Sequence, residues 1–307
     1  MIEKFLVAIV IASTPLLFAT IGEIITEKAG HLNLGVEGMM LIGAISGFAS
    51  GIITQNPILA LLGAMLGGMV SAYIYAFLTV TLRANQIVSG LALTIFGQGI
   101  SSYLGTNFVG QKMPKNIIEF YKPIKVPFLS KIPFFGNILF NQDIFVYLSF
   151  ILAVVISIYL YKTKYGLNLI AIGENPKSAD NAGVNINLYK YIHILLGGAL
   201  CGLGGAYLSV VEVPVWQENI TSGKGWIAIA LVIFAKWNPL KAIYASFIFG
   251  GLSILGLRIQ HLNVPQSLLE ALPYLFTIVI LVISSIKKDN ENGPPKGLSI
   301  PYFREER

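Results

Sequence analysis

Charge is what this 307-residue chain has least of. Asp, Glu, Lys and Arg make up 12% of it, against 55% hydrophobic residues and a mean hydropathy of +0.72. So thin a charged surface excludes the soluble two-domain protein that length alone would suggest, and points to a membrane protein. From Gly38 to Leu82, a run of 45 residues, there is no charge at all. A helical span takes about 20 apolar residues, so this run holds two, with Thr54-Gln55-Asn56-Pro57 as the turn between them. The one cysteine, Cys201, excludes an intramolecular disulfide and reads as a small hydrophobe in an apolar helix. His31, His193 and His261 are isolated, without the spacing of a metal centre. Ser222-Gly223-Lys224-Gly225 lacks the earlier glycine and the following Ser/Thr of a phosphate-binding loop. These absences argue against an enzyme and against a cofactor in this chain. A net charge of +6, dispersed over loops, is too modest to imply nucleic-acid binding and is read as orienting the spans.

What is present is a succession of apolar runs. The expected fold is an all-α polytopic membrane protein of about nine spans, within a range of eight to ten. They fall near 5–22, 36–53, 58–81, 86–104, 143–162, 188–211, 225–236, 239–257 and 266–286. The seventh is barely half a bilayer thick and reads as a half-helix or one arm of a kinked hairpin. The first lacks a basic front and a small-residue cleavage site, so it is a retained span rather than a signal peptide. Residues 1–286 then form one membrane domain, and 287–307 a flexible polar tail. With that tail and the 163–187 loop placed in the cytoplasm, thirteen Lys and Arg lie on that side and eight on the other. The positive-inside rule therefore puts the N-terminus outside and the C-terminus in the cytoplasm. The 105–142 loop, rich in proline and aromatics, becomes an external cap or partner-docking surface. Glycines recur at four-residue spacing (43/47/51, 63/67, 198/202), the pattern that lets helix backbones approach closely in lipid.

Three polar stretches interrupt the apolar pattern. In 171-AIGENPKSADNAGV-184, Asn175 can cap a helix, Pro176 suits its first position, and Gly183 supplies a left-handed stop. The prediction is a two-turn helix over 176–182 on one membrane face, built to be docked upon. The second stretch, 22-GEIITEKAGHLNLGVEGMM-40, joins two spans and mixes Gly with Glu23, Glu27, Asn33 and Glu37. Its apolar residues are odd for a surface loop, so a discontinuous helix whose backbone lines a protein path fits; an ordinary capped turn is the alternative. The third, 212-EVPVWQENITSGKGW-226, places Glu212, Trp216, Gln217, Glu218, Asn219 and Trp226 together. They read either as interfacial anchors or as an external mouth that stacks on a ring-containing solute. Gln98, on span four, is a further path candidate.

Taken together these strings resemble a known family. GEIITEKAGHLNLGVEGMMLIGA, AIGENPKSADNAGV and GKGWIAIALVIFAKWNPLKA are similar to three blocks of the inner-membrane permeases of ATP-binding-cassette importers for nucleosides, ribose and related sugars. Leu32–Gly38 resembles the nucleoside branch more than the ribose branch. The resemblance covers roughly Pro15 to Ile286 and implies two permease subunits, the second a different chain, forming the path. It also implies ATPase subunits beneath, which hold the ATP and magnesium, and an extracytoplasmic binding protein or lipoprotein that delivers substrate. It further implies a multi-pass protein of the bacterial plasma (inner) membrane, bathed in membrane lipid. Carried over by position, Gly173, Glu174, Asn175, Pro176, Ala179, Asp180 and Gly183 would contact the ATPase. Asn33, Gly35, Glu37 and Gly38 would lie near the path, joined by Gln98, Glu212, Trp216, Asn219 and Trp226 on the residue-level reading. One departure is Ala235-Lys236 where many members have a glycine pair. The alternatives are a ribose or simple-sugar permease of the same family, or a stand-alone carrier or channel.

Overall fold

The computed structural model describes residues 2–133, 135–258, 271–286 and 293–303. Seven helices in it are long and apolar enough to cross a membrane. They are α1 (Ile2–Lys28), α2 (Val36–Thr54), α3 (Pro57–Ala76), α4 (Gln86–Gly105), α7 (Ile144–Lys162), α10 (Ile186–Ala206) and α12 (Pro239–Arg258). The seventh expected span is α11 (Lys224–Phe234), whose 11 residues reach about 16 Å at 1.5 Å per residue. It is a half-helix. The ninth is represented by α13 (Leu272–Ile286), and the expected residues 266–270 lie outside the described ones. α3 and α10 end in π-helical turns, Phe77–Thr81 and Tyr207–Glu212.

Local chemistry explains the boundaries. Asn56, Asn85, Asp143 and Asn185 each accept a hydrogen bond from a first-turn backbone N–H, so four of these helices start on a side-chain cap. Pro15 sits inside α1, where it cannot donate to the preceding turn. Beside it the Ser13 and Thr14 hydroxyls donate to Val10 O at 2.8 and 2.9 Å.

α10 is the central post, and glycine makes its contacts possible. A Cβ on Gly197 would collide with Gly22 of α1, one on Gly198 with Gly68 of α3, and one on Gly205 with Met40 of α2. Gly43 and Gly202 meet backbone to backbone. Lipid supplies no hydrophobic drive between helices, so this close backbone approach is what holds the post to three neighbours. Cys201 lies buried among these contacts.

The two ends of the bundle differ. At one, the 105–142 segment forms a cap of α5 (Lys115–Phe120), α6 (Phe135–Leu139) and a two-stranded ladder of β1 (Ile124–Lys125) with β2 (Asn141–Gln142). That ladder is the small exception to an all-α reading among the described residues. Tyr121 tethers the cap by donating to Pro57 O at 2.7 Å; burial pushes its phenol up to about 12, so it stays a donor across the neutral range. At the other end lie Lys28–Gly30, Arg83, α8 (Lys164–Glu174), α9 (Pro176–Asn181) and residues 293–303. The tail was expected to be mobile. Instead, 293–303 is packed against α8, α9 and the end of α1, because Gly297 N–H donates to Gly173 O at 2.8 Å and Ser299 N–H to Gly30 O at 3.2 Å. The remaining tail positions, 287–292 and 304–307, lie outside the described residues.

The glycine post makes a stability prediction. Gly202→Val forces a branched side chain into the Ala64 and Gly68 backbone and should cost about 3 kcal/mol, read as a lower thermal midpoint in detergent. Gly99→Ala, where nothing lies within 4 Å, should leave that midpoint unchanged.

Candidate functional site

The helical break expected somewhere in 22–40 is narrower than the sequence implied. α1 runs unbroken through Glu23 and Glu27, and only residues 29–35 leave the helix. Three elements pin this short non-helical segment. Glu23 Oε1 on α1 accepts from Asn33 N–H at 3.0 Å, Gln86 Oε1 on α4 from Leu32 N–H at 2.8 Å, and Tyr75 on α3 donates to Leu32 O at 2.7 Å. Backbone freed from a helix inside a bundle must find such partners or cost several kcal/mol. Here each partner comes from a different helix.

The segment delivers Glu37 into the middle of the bundle. Gly38 packs against Leu93, Thr94 and Gly97 of α4, the eighth to twelfth residues of a 20-residue helix. Glu37 is buried, in the first turn of α2. Its carboxylate accepts from the Thr221 hydroxyl at 2.5 Å, Gly223 N–H at 2.9 Å and Gly225 N–H at 2.6 Å. Those two amides are the entry to α11. One anionic side chain therefore sits between two helix N-termini, its own and that of the half-helix, where both dipoles favour it.

Left-handed residues bracket α11. Asn219 (φ 51°), Ser222 (φ 47°) and Gly223 (φ 82°) precede it; Lys236 (φ 51°) and Trp237 (φ 54°) follow. The Ala235-Lys236 departure from the family pattern thus falls where the backbone turns left-handed. A non-glycine residue costs about 1–2 kcal/mol there, and the local contacts hold it. The Trp237 indole donates to the Glu27 carboxylate, and the Trp237 carbonyl accepts from the Tyr161 hydroxyl at 3.2 Å. A buried glutamate of α1 thus anchors the end of the half-helix, as Glu37 anchors its start.

The path candidates separate on this frame. Asn33 is buried; its Oδ1 accepts from Gly35 N–H at 2.9 Å, which makes it a turn former. Glu37 has its oxygens occupied by α11. Trp216 is the clear correction. It is 1% exposed, tilted against Phe48 with ring centroids 5.7 Å apart and packed on Gly105, so its indole is core and cannot stack on a solute. Gln98, Glu212 and Asn219 are exposed and Trp226 half-buried. Gln98 and Trp226 adjoin Gly97 and Gly225, the glycines that pack on Gly38 and Glu37. Thr221, Gly223, Gly225 and Tyr274 escaped the sequence reading, although the closely spaced glycines of 223–225 were a usable signal. The Tyr274 hydroxyl lies against Gly223 while its ring remains 42% exposed.

The second candidate site is the capped helix. α9 starts at Pro176, with Asn175 Oδ1 accepting from Ser178 N–H at 3.1 Å, and stops at Gly183 with φ 79°. Val184 N–H closes back on Ala179 O at 3.1 Å. Ala179 is buried with Ile172 and Ile186, while Asn175, Lys177, Ser178, Asn181, Ala182 and Gly183 are exposed. Gly173 packs on the Lys28 carbonyl, and Asp180 accepts from the Tyr302 hydroxyl at 2.8 Å. Glu174 is the last residue of α8, half-buried beside this contact. The spacing predicted this helix, its cap and its stop. It did not show that α8 leads rigidly into it.

Residues 5–284 match the family described as branched-chain amino acid transport system / permease component. A Haloferax volcanii chain named for a glucose ABC transporter permease, TsgC13, is 36% identical, covering 97% of each chain. The nucleoside ABC transporter permease protein NupC of Lactococcus lactis is 37% identical, covering 89% of each. The guanosine ABC transporter permease protein NupQ of Bacillus subtilis is 32% identical, covering 98% of this chain and 96% of NupQ. Among solved structures, PsaBC from Streptococcus pneumoniae in complex with Fab shares the fold at a TM-score of 0.50 and 14% identity, covering 96% of this chain and 98% of that one.

Two substitutions check the geometry. Glu37→Ala would orphan three donors at a cost of roughly 3 kcal/mol or more, so the thermal midpoint should fall by several degrees; an unchanged midpoint would remove the carboxylate from this role. Trp216→Phe should lower stability while leaving the affinity for transported solute unchanged, as titrated by uptake.

Proposed function

The chain belongs to the branched-chain amino acid transport system permease family, and from that premise we propose that it is the membrane-spanning subunit of an ATP-driven nucleoside importer. The observation that carries the reading is α9, a helix capped at both ends and seated on a buried apolar base, with its polar face exposed. Such a helix receives force without bending. In this reading it takes the push of a separate ATPase through Asn175, Pro176 and the exposed residues up to Gly183. Gly173, Ala179 and Asp180 hold it to the bundle. The chain itself catalyses nothing; ATP and magnesium stay on the partner.

The rest of the assembly follows from the same reading. The face carrying α9 is cytoplasmic, which agrees with its thirteen Lys and Arg, and the N-terminus lies outside the plasma membrane. A second, different permease subunit covers the exposed side of α4, where Leu91, Ile95 and Phe96 are 40–70% exposed around Gln98. An extracytoplasmic binding protein or lipoprotein delivers solute at the capped end. The path passes the junction of α4, α11 and α13, where Gln98 offers an amide and Trp226 and Tyr274 offer rings for a base. Glu212 and Asn219 stand at its outer mouth.

Nucleosides are favoured by the names of NupC and NupQ and by the exposed Tyr274 ring beside the half-helix. A simple-sugar cargo is the second reading, favoured by the TsgC13 name and by the loss of Trp216 as a stacking surface. Uptake of a labelled nucleoside into vesicles holding the whole transporter, competed by uridine, guanosine, adenosine, ribose and glucose, separates the two. Competition by ribose and glucose alone would overturn the nucleoside assignment. For the lever, Asn175→Leu and Gly183→Val should leave membrane insertion intact while lowering uptake per ATP hydrolysed by about tenfold. Normal coupling in both would sink it.

A further inference from the structure

The packed tail has no part in the transport reading so far, yet its contacts join four elements. Gly297 donates to Gly173 at the end of α8, and Ser299 to Gly30 just past the end of α1. Tyr302 donates to Asp180 of α9 at 2.8 Å, and its ring packs on the Ile172, Ala179 and Ile186 base of that helix. The Arg83 guanidinium, in the turn between α3 and α4, lies 4.6 Å from the centre of the Phe303 ring. The tail is itself folded, with Leu298 N–H on Pro295 O at 3.0 Å and Ile300 N–H on Gly297 O at 3.2 Å. Small residues allow the convergence: a Cβ on Gly297 would lie 2.8 Å from Gly173 O, and one on Gly173 would lie 3.2 Å from Pro295 Cβ.

A six-residue helix carried on two chain connections can pivot about them however well it is capped. We propose that residues 295–303 are a strap that removes this pivot, locking α9 to the end of α1 and to the α3–α4 turn. This inference rests on α9 as the point of ATPase input. The strap fastens at Gly30, seven residues before Glu37, and between them lies the segment pinned by Glu23, Tyr75 and Gln86. A displacement of α9 therefore moves the segment that holds the half-helix rather than bending the α8–α10 connection. The strap stays docked throughout the cycle. Tyr302 is its positioning residue, since its hydroxyl bond to Asp180 sets the strap against the lever.

The test uses the complete transporter with its ATPase in proteoliposomes and reads solute imported per ATP hydrolysed. Deleting 293–307 should lower that ratio by about tenfold, and Tyr302→Phe by about threefold, with ATPase activity retained. Should the deletion fail to insert, Ser299→Pro takes its place with the same expected loss, since it removes the N–H given to Gly30 and cannot hold the φ of 66° at this residue. A cross-link between cysteines introduced at Asp180 and Tyr302 should keep coupling within about twofold of wild type. Wild-type coupling in the deletion, or in Ser299→Pro where the deletion does not insert, overturns the strap. So does a cross-linked form that hydrolyses ATP without import. Hydrogen exchange at the Gly297 and Ser299 amides separates the two readings: slow exchange with ATP-independent uptake would overturn the lever but keep the docked tail, and fast exchange overturns the strap itself.

Discussion

The carboxylate of Glu37 is the interaction on which the interior depends. A half-helix ending inside a bundle leaves backbone N–H groups that lipid and side-chain methyls cannot satisfy. Glu37 satisfies two of them and takes the Thr221 hydroxyl as well. An anion at that depth would ordinarily be prohibitive, but the first turn of α2 and the start of α11 both present their positive ends to it. Neither feature stands alone: the half-helix supplies the donors that make a buried carboxylate affordable, and the carboxylate supplies the acceptor that lets a helix begin there.

This pairing propagates outward. Glu37 reaches its place only because residues 29–35 leave the helix, and that segment holds its shape through Glu23, Gln86 and Tyr75 from three helices. The far end of α11 returns to α1 through Trp237 and Glu27. The half-helix is thus anchored at both ends to the same stretch of chain, and a shift of α1 or of 29–35 would be felt at both. Glycine contacts along α10 tolerate such shifts in a particular way, because smooth backbone surfaces can slide where interdigitated side chains would catch.

At the opposite level of the molecule the tail, α9 and the end of α1 form a second knot of short contacts, again made possible by glycine. The two knots are joined by the seven residues of chain from Gly30 to Glu37. Under the proposed reading, in which α9 takes the push of the ATPase, this route would carry a displacement of α9 to the half-helix.

Much of this was legible in the residues. Composition and charge placement dictated a polytopic helical protein, because a bilayer admits few alternatives to closed helices. The Asn175, Pro176 and Gly183 signals defined α9 because capping is local chemistry, decided within a few residues. The brevity of 225–236 announced a half-helix for the same reason. Three things were decided only by the tertiary structure. Trp216 became core, since an indole at a loop can face water or Phe48, and only packing chooses. Glu37 turned from a path residue into the cap of α11, a bond between positions 37 and 221–225 that no local pattern encodes. The polar tail became a docked element although its composition reads as mobile, because backbone hydrogen bonds to Gly30 and Gly173 depend on where those carbonyls lie and not on the tail's own side chains. Sequence determines what each segment can do with its neighbours in the chain; which distant donor meets which acceptor is settled by the assembled bundle.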